Sequence, residues 1–404
     1  MHGSLLSVVI IGMGKPSVRV SCSSVSATEA FSVYVHAPFC ARRCVYCDFA
    51  VTVQAEGDLE GWVQGLRSEI ALLEEENLFA LADQLKTLYV GGGTPSLLGP
   101  KAMSKLAGVI GPQRLTSQDL EWTAEANPES FSSEVAEEWR AVGVNRISLG
   151  AQTFDAAALK WMGRLHGAEG PIKAIEGARA CGIENVSIDL IFGLPTHIGR
   201  SWEDDLRRVI DLDVPHISLY GLTVELGTHL GQEVRKGREP AVDEDQYRKE
   251  FLMAAEALTA SGYRHYEVSN FARPGFESQH NTAYWSGDPY LGLGNSAHSF
   301  APPVRRWNLH SWEQYRVAVD ASKSPEADRE ILDEAASRLE RVWLDLRTID
   351  GIPRPMEGTP QDRLARDWIE RGLAAWVGDR CVLTPEGWLI LDQLAVDYET
   401  SALG

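Results

Sequence analysis

Between residues 31 and 222 short β-rich runs alternate with longer amphipathic stretches, and no other feature narrows the fold as much. Tight turns join only antiparallel neighbours, so this rhythm implies crossover helices laid against a parallel sheet. Strands are expected over 32–36, 87–90, 120–125, 146–149, 186–191 and 216–220. After the first of them, Leu59, Trp62, Val63, Leu66, Ile70 and Leu73 fall on one helical face, and the acidic run Glu74-Glu75-Glu76 reads as a solvated end. Another helix is expected over 203–212, with Ser201 as its cap and acids in its first turn.

Ligands of parallel α/β folds sit at the carboxyl ends of the strands, and here those ends carry the informative residues. Strand one runs into Cys40, Cys44 and Cys47 in C-x3-C-x2-C spacing. Clusters of the 4Fe-4S type are usually held by four cysteines, so three on a short loop leave one iron open to a small molecule. A structural zinc ion is the competing reading of the array. Cys22, Cys181 and Cys381 are scattered, and so few thiols suit a reducing compartment better than a disulfide framework. Strand two ends in Gly91-Gly92-Gly93-Thr94-Pro95, where glycines let backbone approach a ligand closely. Strand three ends at Glu125-Ala126-Asn127-Pro128 and strand four at Gly150-Ala151-Gln152, with Arg164 on the next helix. Strand five carries Asp189 before Phe192-Gly193-Leu194-Pro195.

The cysteine spacing resembles that of the radical S-adenosylmethionine (SAM) enzymes, in which SAM chelates the open iron and is split to a 5′-deoxyadenosyl radical. Against that resemblance, a carboxylate, an amide and a guanidinium converging on one mouth suit the ribose hydroxyls and carboxylate of SAM. A narrower likeness rests on Tyr34-Val35-His36, the three cysteines, the 91–95 loop, Glu125, the 150–152 turn, the 189–195 run and Tyr266-Glu267-Val268-Ser269-Asn270. Over residues 31–400 these resemble the oxygen-independent coproporphyrinogen III oxidase family and, within it, the heme-chaperone branch. The resemblance implies an α/β fold, a partial (β/α)6 radical SAM barrel with an α+β C-terminal extension; six strands fit such a barrel and a closed one would need more. It also implies that Cys40, Cys44 and Cys47 hold a 4Fe-4S cluster. Tyr34, Tyr46, Gly92, Gly93, Thr94, Glu125, Gln152, Arg164 and Asp189 then line the cluster and SAM pocket, with the glycine loop meeting the SAM amino group.

Two departures separate this chain from the oxidases. Those enzymes carry a fourth cysteine two residues after the third, where Phe49 stands here, and a longer amino-terminal region that residues 1–30 do not resemble. Both weigh against oxidative decarboxylation of porphyrinogen propionates, which remains the alternative activity. His280-Asn281-Thr282-Ala283-Tyr284-Trp285 looks like the H-N-x-x-Y-W motif associated with heme binding in the chaperone branch. His280 is thus the candidate axial ligand, and Tyr284 and Trp285 are candidates to pack on the porphyrin. His265, His298 and His310 are nearby competitors. The expected function is to bind heme and deliver it to an acceptor protein that the sequence does not identify.

The expected division is an extension over 1–30, the barrel over 31–240, a family-specific segment with the histidine motif over 241–323, and a C-terminal domain over 324–404. The glycine-rich stretch 289–300 reads as a tight loop beside the barrel mouth. Beyond 324 a helix, a hairpin turning at Gly378-Asp379-Arg380 and a helix from Pro385 read as a winged-helix-like domain. Residues 361–404 hold four basic and eight acidic side chains, and the whole chain carries a formal charge of -19, so no nucleic-acid partner is expected. Peripheral membrane association of a loaded form is implied by the resemblance alone. An acidic surface opposes anionic headgroups, so docking there would run through a protein partner.

No apolar run is long enough for a transmembrane helix. The first residues are acid-poor up to Glu29, with an apolar stretch over 5–11. They read as a disordered extension or a targeting peptide, which makes the expected compartment the cytoplasm or, in the second case, an organelle.

Overall fold

The computed structural model describes residues 27–76 and 78–402. Six parallel strands lie side by side in chain order: β1 (Ser32–Ala37), β2 (Thr87–Gly92), β3 (Glu121–Ala126), β4 (Arg146–Gln152), β5 (Asn185–Phe192) and β6 (His216–Gly221). The helices that follow them are α1 (Leu59–Glu76), α2 (Ala102–Ile110), α3 (Ser133–Ala141), α4 (Gly170–Ala180), α5 (Trp202–Asp211) and α6 (Glu244–Ala260). Alternation along each strand sorts its side chains. Val33, Val35, Leu88, Val90, Trp122, Ile147, Leu149, Ile188 and Ile217 join the buried apolar layer beneath the helices. Burying a Val or Leu side chain there contributes roughly 1.5–3 kcal/mol, which makes this layer the main reason the barrel holds together. The intervening positions, among them Tyr34, Tyr89, Glu125, Ser148, Asp189 and Ser218, face inward, so the lumen is polar.

The helices form for the reasons their sequences suggest. In α1 Trp62, Val63, Leu66 and Leu73 are buried, and the Trp62 indole donates to the His36 carbonyl at 2.8 Å, which ties the helix to the end of β1. The Ser201 hydroxyl caps α5 by accepting from the Asp204 N–H at 3.2 Å.

The sheet does not close, and both flanks extend it beyond the six expected strands. On the β6 side stand β7 (Arg264–Glu267) and β8 (Asn270–Ala272); on the β1 side stand β9 (Tyr290–Leu293), β10 (His298–Ala301), β11 (Val304–Asn308) and β12 (Glu326–Ile331). The stretch 289–300 is two strands joined by a tight turn at 294–297 beside the end of β1, not a loop throughout: β9 pairs in parallel with β1 and antiparallel with β10. Its glycines serve close packing, since a Cβ on Gly292 would lie 2.1 Å from the His298 carbonyl oxygen. The chain after 324 likewise begins with β12, and the helix expected there starts at Glu334. The charges of β12 hid it: Glu330 pairs with Arg305 at 2.7 Å, and an edge strand protected by charge has the composition of a surface helix.

Residues 1–26, with Cys22 and the apolar stretch 5–11, lie outside the described residues. Thr28–Ala30 form a strand parallel to Phe79–Leu81, so described structure starts inside the expected extension. At the other end β13 (Ile352–Pro353), β14 (Ala374–Val377) and β15 (Arg380–Leu383) make a small antiparallel sheet ordered β13-β15-β14, flanked by the helices Pro360–Glu370 and Leu391–Ser401 in a winged-helix-like arrangement. Trp388 anchors it, buried and donating to the Leu346 carbonyl at 3.0 Å. Among the described residues no helix is long and apolar enough to cross a membrane.

Candidate functional site

The carboxyl ends of β1 to β6 surround a cavity of about 300 Å³. Its rim is the segment after β1, where residues 39–40 and 52–53 pair in parallel and carry the cysteines between them. Cys40, Cys44 and Cys47 all line the cavity and are partly exposed. Arg43 braces this loop, donating to the Phe49 and Val51 carbonyls at 3.3 and 2.7 Å. Phe49 itself stands in the cavity wall.

A polar relay ties two of the thiols together. The Thr94 hydroxyl is 3.3 Å from Cys40 Sγ and accepts from the Asn127 amide at 3.1 Å. Asn127 Oδ1 in turn accepts from Arg164 at 2.7 Å, and another Arg164 nitrogen lies 3.6 Å from Cys44 Sγ. Arg164 is not on a helix, as expected, but just past the helix Ala156–Met162, beyond the left-handed cap Gly163. That turn brings the guanidinium back over the mouth, where it also donates to the Gly150 carbonyl at 2.7 Å.

Burial pushes the Cys40 thiol up to about 12 and raises Cys47 as well, so binding a metal group must displace protons. The three thiols stand on one short loop and face one cavity. A four-iron cluster spreads its thiolates over separate irons, and three cysteines at one mouth are a donor set that fits it.

The glycine loop is clamped to the cysteine loop, with Gly93 N–H bonded to the Ala37 carbonyl and Thr94 N–H to that of Phe39, both at 2.8 Å. Gly92 has φ 104°, and a Cβ there would meet the His36 ring at 2.3 Å, so only glycine fits. Its N–H donates to Glu125 at 2.9 Å, and Tyr89 O–H donates to the other Glu125 oxygen at the same distance. Gln152 is buried at φ 68°, at an irregularity in the β4 to β5 register, and its Oε1 has no hydrogen-bond partner. A strained backbone that aims an orphaned oxygen into a cavity is a mark of ligand binding. Burial and the charge of Glu125 push the Asp189 carboxyl up to about 7, against the Ser148 hydroxyl that donates to it at 3.0 Å.

Gly92, Gly93, Thr94, Glu125, Gln152, Arg164, Asp189 and Tyr46 thus all reach the cavity. Tyr34 does not line it: the ring is buried in the lumen, stacked on Tyr89, with its hydroxyl 3.1 Å from His36 Nδ1. Ser148 and Tyr220 line the cavity without having been singled out, and Asn127, named only as part of the end of strand three, lines it too. Strand alternation signals Ser148, two positions before Gly150, and the relay role of Asn127 has no sequence signal.

The histidine motif lies at the opposite end of the strands. His280 begins the helix α7 (Gln279–Ser286), whose first N–H groups, those of Gln279 and His280, donate to Glu121 at the start of β3, both at 3.0 Å. The buried ring stands between the Thr87 hydroxyl, 2.7 Å from Nδ1, and the Tyr284 hydroxyl, 2.8 Å from Nε2. Trp285 is buried under the Arg347 guanidinium, 4.2 Å from its ring centre, and Arg347 pairs with Glu267 at 3.1 Å. Of the competing histidines His310 is exposed, whereas His265 is buried against Phe271.

The family model of the Radical SAM superfamily matches residues 34–209. The heme chaperone HemW of Mycobacterium tuberculosis is 37% identical over 371 residues, covering 90% of this chain and 93% of its own. HemW of Bacillus subtilis is 32% identical over 370 residues, covering 89% of this chain and 96% of its own. Among solved structures, coproporphyrinogen III oxidase (HemN) of Escherichia coli, described as a radical SAM enzyme, superposes with a TM-score of 0.76 at 23% identity. That match covers 93% of this chain and 91% of the other, and it speaks for the fold alone. An open six-stranded barrel with three cysteines at its mouth, matched almost end to end by these relatives, identifies the chain as a member of the HemW heme chaperone family within the radical SAM superfamily.

Proposed function

We propose that this protein binds heme and hands it to an acceptor protein, with a 4Fe-4S cluster on Cys40, Cys44 and Cys47 and SAM in the adjoining cavity. The observation that carries this reading is the near full-length match to heme chaperones, 93% of the Mycobacterium tuberculosis relative. Phe49, in the wall where a further cysteine would mark an oxidase, supports it. When bound, the cluster supplies an electron donor and an iron open to SAM. The chain's own residues do the positioning: Thr94, Asn127 and Arg164 brace the thiols, while Gln152 and Asp189 offer acceptors to ribose hydroxyls. We expect the acceptor to be a protein, not a nucleic acid, and the compartment to be the cytoplasm.

His280, Tyr284 and Trp285 are assigned to heme. Both ring nitrogens of His280 are hydrogen-bonded, so ligation requires α7 to lift away from Thr87 and Glu121. The test is an anaerobic heme titration of cluster-reconstituted protein and of His280→Ala, followed by the Soret band, with circular dichroism to confirm that the variant is folded. Saturable binding that weakens about tenfold in the variant, a difference of about 1.4 kcal/mol, supports both assignments. Equal binding moves the ligand elsewhere, the exposed His310 first. No saturable binding by either protein overturns the chaperone reading and leaves SAM-dependent decarboxylation of coproporphyrinogen III to be assayed.

A further inference from the structure

The inward face of the strands runs on below the cavity. Ser148, Gly150 and Gln152 line the cavity from β4, and alternation puts Arg146 on the same inward face, roughly 7 Å deeper than Ser148. Arg146 is only 2% exposed. Its Nε has no hydrogen-bond partner, and it enters no ion pair among the described residues. The register sets Thr123 of β3 on one side of it and Asn185 of β5 on the other. Each of these also carries an orphaned atom, Thr123 Oγ1 and Asn185 Oδ1. Three inward residues on three adjacent strands, in register, thus share the same deficit.

This is not general looseness of the lumen. One strand further on, Ser187 and His216 are bonded at 2.7 Å, and His216 Nε2 reaches the Tyr266 hydroxyl at 2.9 Å. The nearby carboxylates are already engaged. Glu121 accepts from the Gln279 and His280 N–H groups, Glu125 from Tyr89 and Gly92, and Asp189 from Ser148. A buried guanidinium nitrogen left without a hydrogen-bond partner is costly, and native proteins rarely keep one without a use.

We propose that Arg146, with Thr123 and the Asn185 amide turned to present its NH2, binds the carboxylate of a small organic monoacid that enters the lumen through the cavity. A single negative charge matches the single guanidinium. Glu121, Glu125 and Asp189 repel any anion, and a dianion such as sulfate about twice as strongly as a monocarboxylate. The site requires neither heme nor SAM to be the protein's cargo, so it stands apart from the function proposed above.

The experiment titrates ¹³C-labelled formate, acetate and propionate into cluster-reconstituted full-length protein at constant ionic strength, following carbon line widths and thermal unfolding. Expected are saturable broadening and a saturable rise in Tm for at least one acid, with no such effect from chloride or sulfate. The affinity should fall tenfold or more in Arg146→Met and a few-fold in Thr123→Val. Without acid, circular dichroism should show that both variants keep the wild-type fold, so that the loss of affinity is read on folded protein. The proposal is overturned if no acid gives a saturable effect or if Arg146→Met binds the acid as wild type does. Should Arg146→Met not fold, Thr123→Val decides alone, and unchanged acid affinity there overturns the proposal.

Discussion

The two ends of the barrel are made by the same six strands, yet they differ in how their polar groups are partnered. At the carboxyl ends the thiols are partly exposed, Gln152 Oε1 is unpartnered and Asp189 sits near neutrality in its titration. At the amino ends of β2 and β3 Glu121 caps α7 and both nitrogens of His280 are bonded. An end with orphaned groups is ready for a ligand as it stands. Where groups satisfy one another, as around the His280 ring, the structure resists opening, and any ligand taken there must first displace those bonds.

The largest effect should come from the open end. Cys40→Ser should abolish cluster assembly, so that iron and sulfide after anaerobic reconstitution fall close to zero and the dithionite-bleachable visible absorbance disappears; full iron retention would undo the assignment of the open end.

At the closed end, His280→Ala leaves the Thr87 and Tyr284 hydroxyls without the ring that joins them. It should lower the free energy of unfolding by about 2–3 kcal/mol in a urea titration. An unchanged midpoint would mean that this end is not held shut by the histidine, which would sharpen its claim to be a ligand site.

Asp189 gives the comparison a pH axis. Its carboxyl is raised to about 7, so it is ionised above that pH and protonated below it, and cationic SAM favours the ionised form. SAM affinity, measured by anaerobic equilibrium dialysis, should therefore fall as pH drops through 7. In Asp189→Asn it should be about tenfold weaker above neutrality, a difference of about 1.4 kcal/mol, and nearly independent of pH across that window. A variant that keeps the wild-type pH profile would remove Asp189 from the SAM site.

The smallest effect tests whether the ends communicate. The Tyr89 ring stacks on His280 with centroids 5.1 Å apart, and its hydroxyl donates to Glu125 at the mouth. Tyr89→Phe keeps the stack and removes that bond, so SAM affinity should change by only about threefold, within the ordinary range for one hydrogen bond. A larger loss, or a parallel change in heme binding, would show that the two ends act as one unit.

Much of the open end was legible before any fold was known. The cysteine array, the glycine loop and the residues at the ends of strands three to five all follow short runs whose period marks them as strands, and strand ends in a parallel sheet share one side. Tyr34 was carried along with them, but it belongs to the lumen because it precedes the end of β1 by three residues and faces inward. The closed end was not legible in the same way. His280-Asn281-Thr282-Ala283-Tyr284-Trp285 reads as a ligand motif, and nothing nearby in the chain announces that Glu121 and Thr87 will meet it. Those contacts span more than 150 residues.

The amino-acid sequence by itself determined the six inner strands, the faces of their helices and the chemistry gathered at the mouth, because each is written in local spacing: two residues for a strand, three or four for a helix. Tertiary structure alone decided that the sheet runs on through β7 to β12, that α7 closes the amino ends, and that Thr123, Arg146 and Asn185 stand abreast. Those facts depend on which distant segments pair and in what register, and pairing is settled by packing the whole sheet against its helices, not by any one stretch of chain.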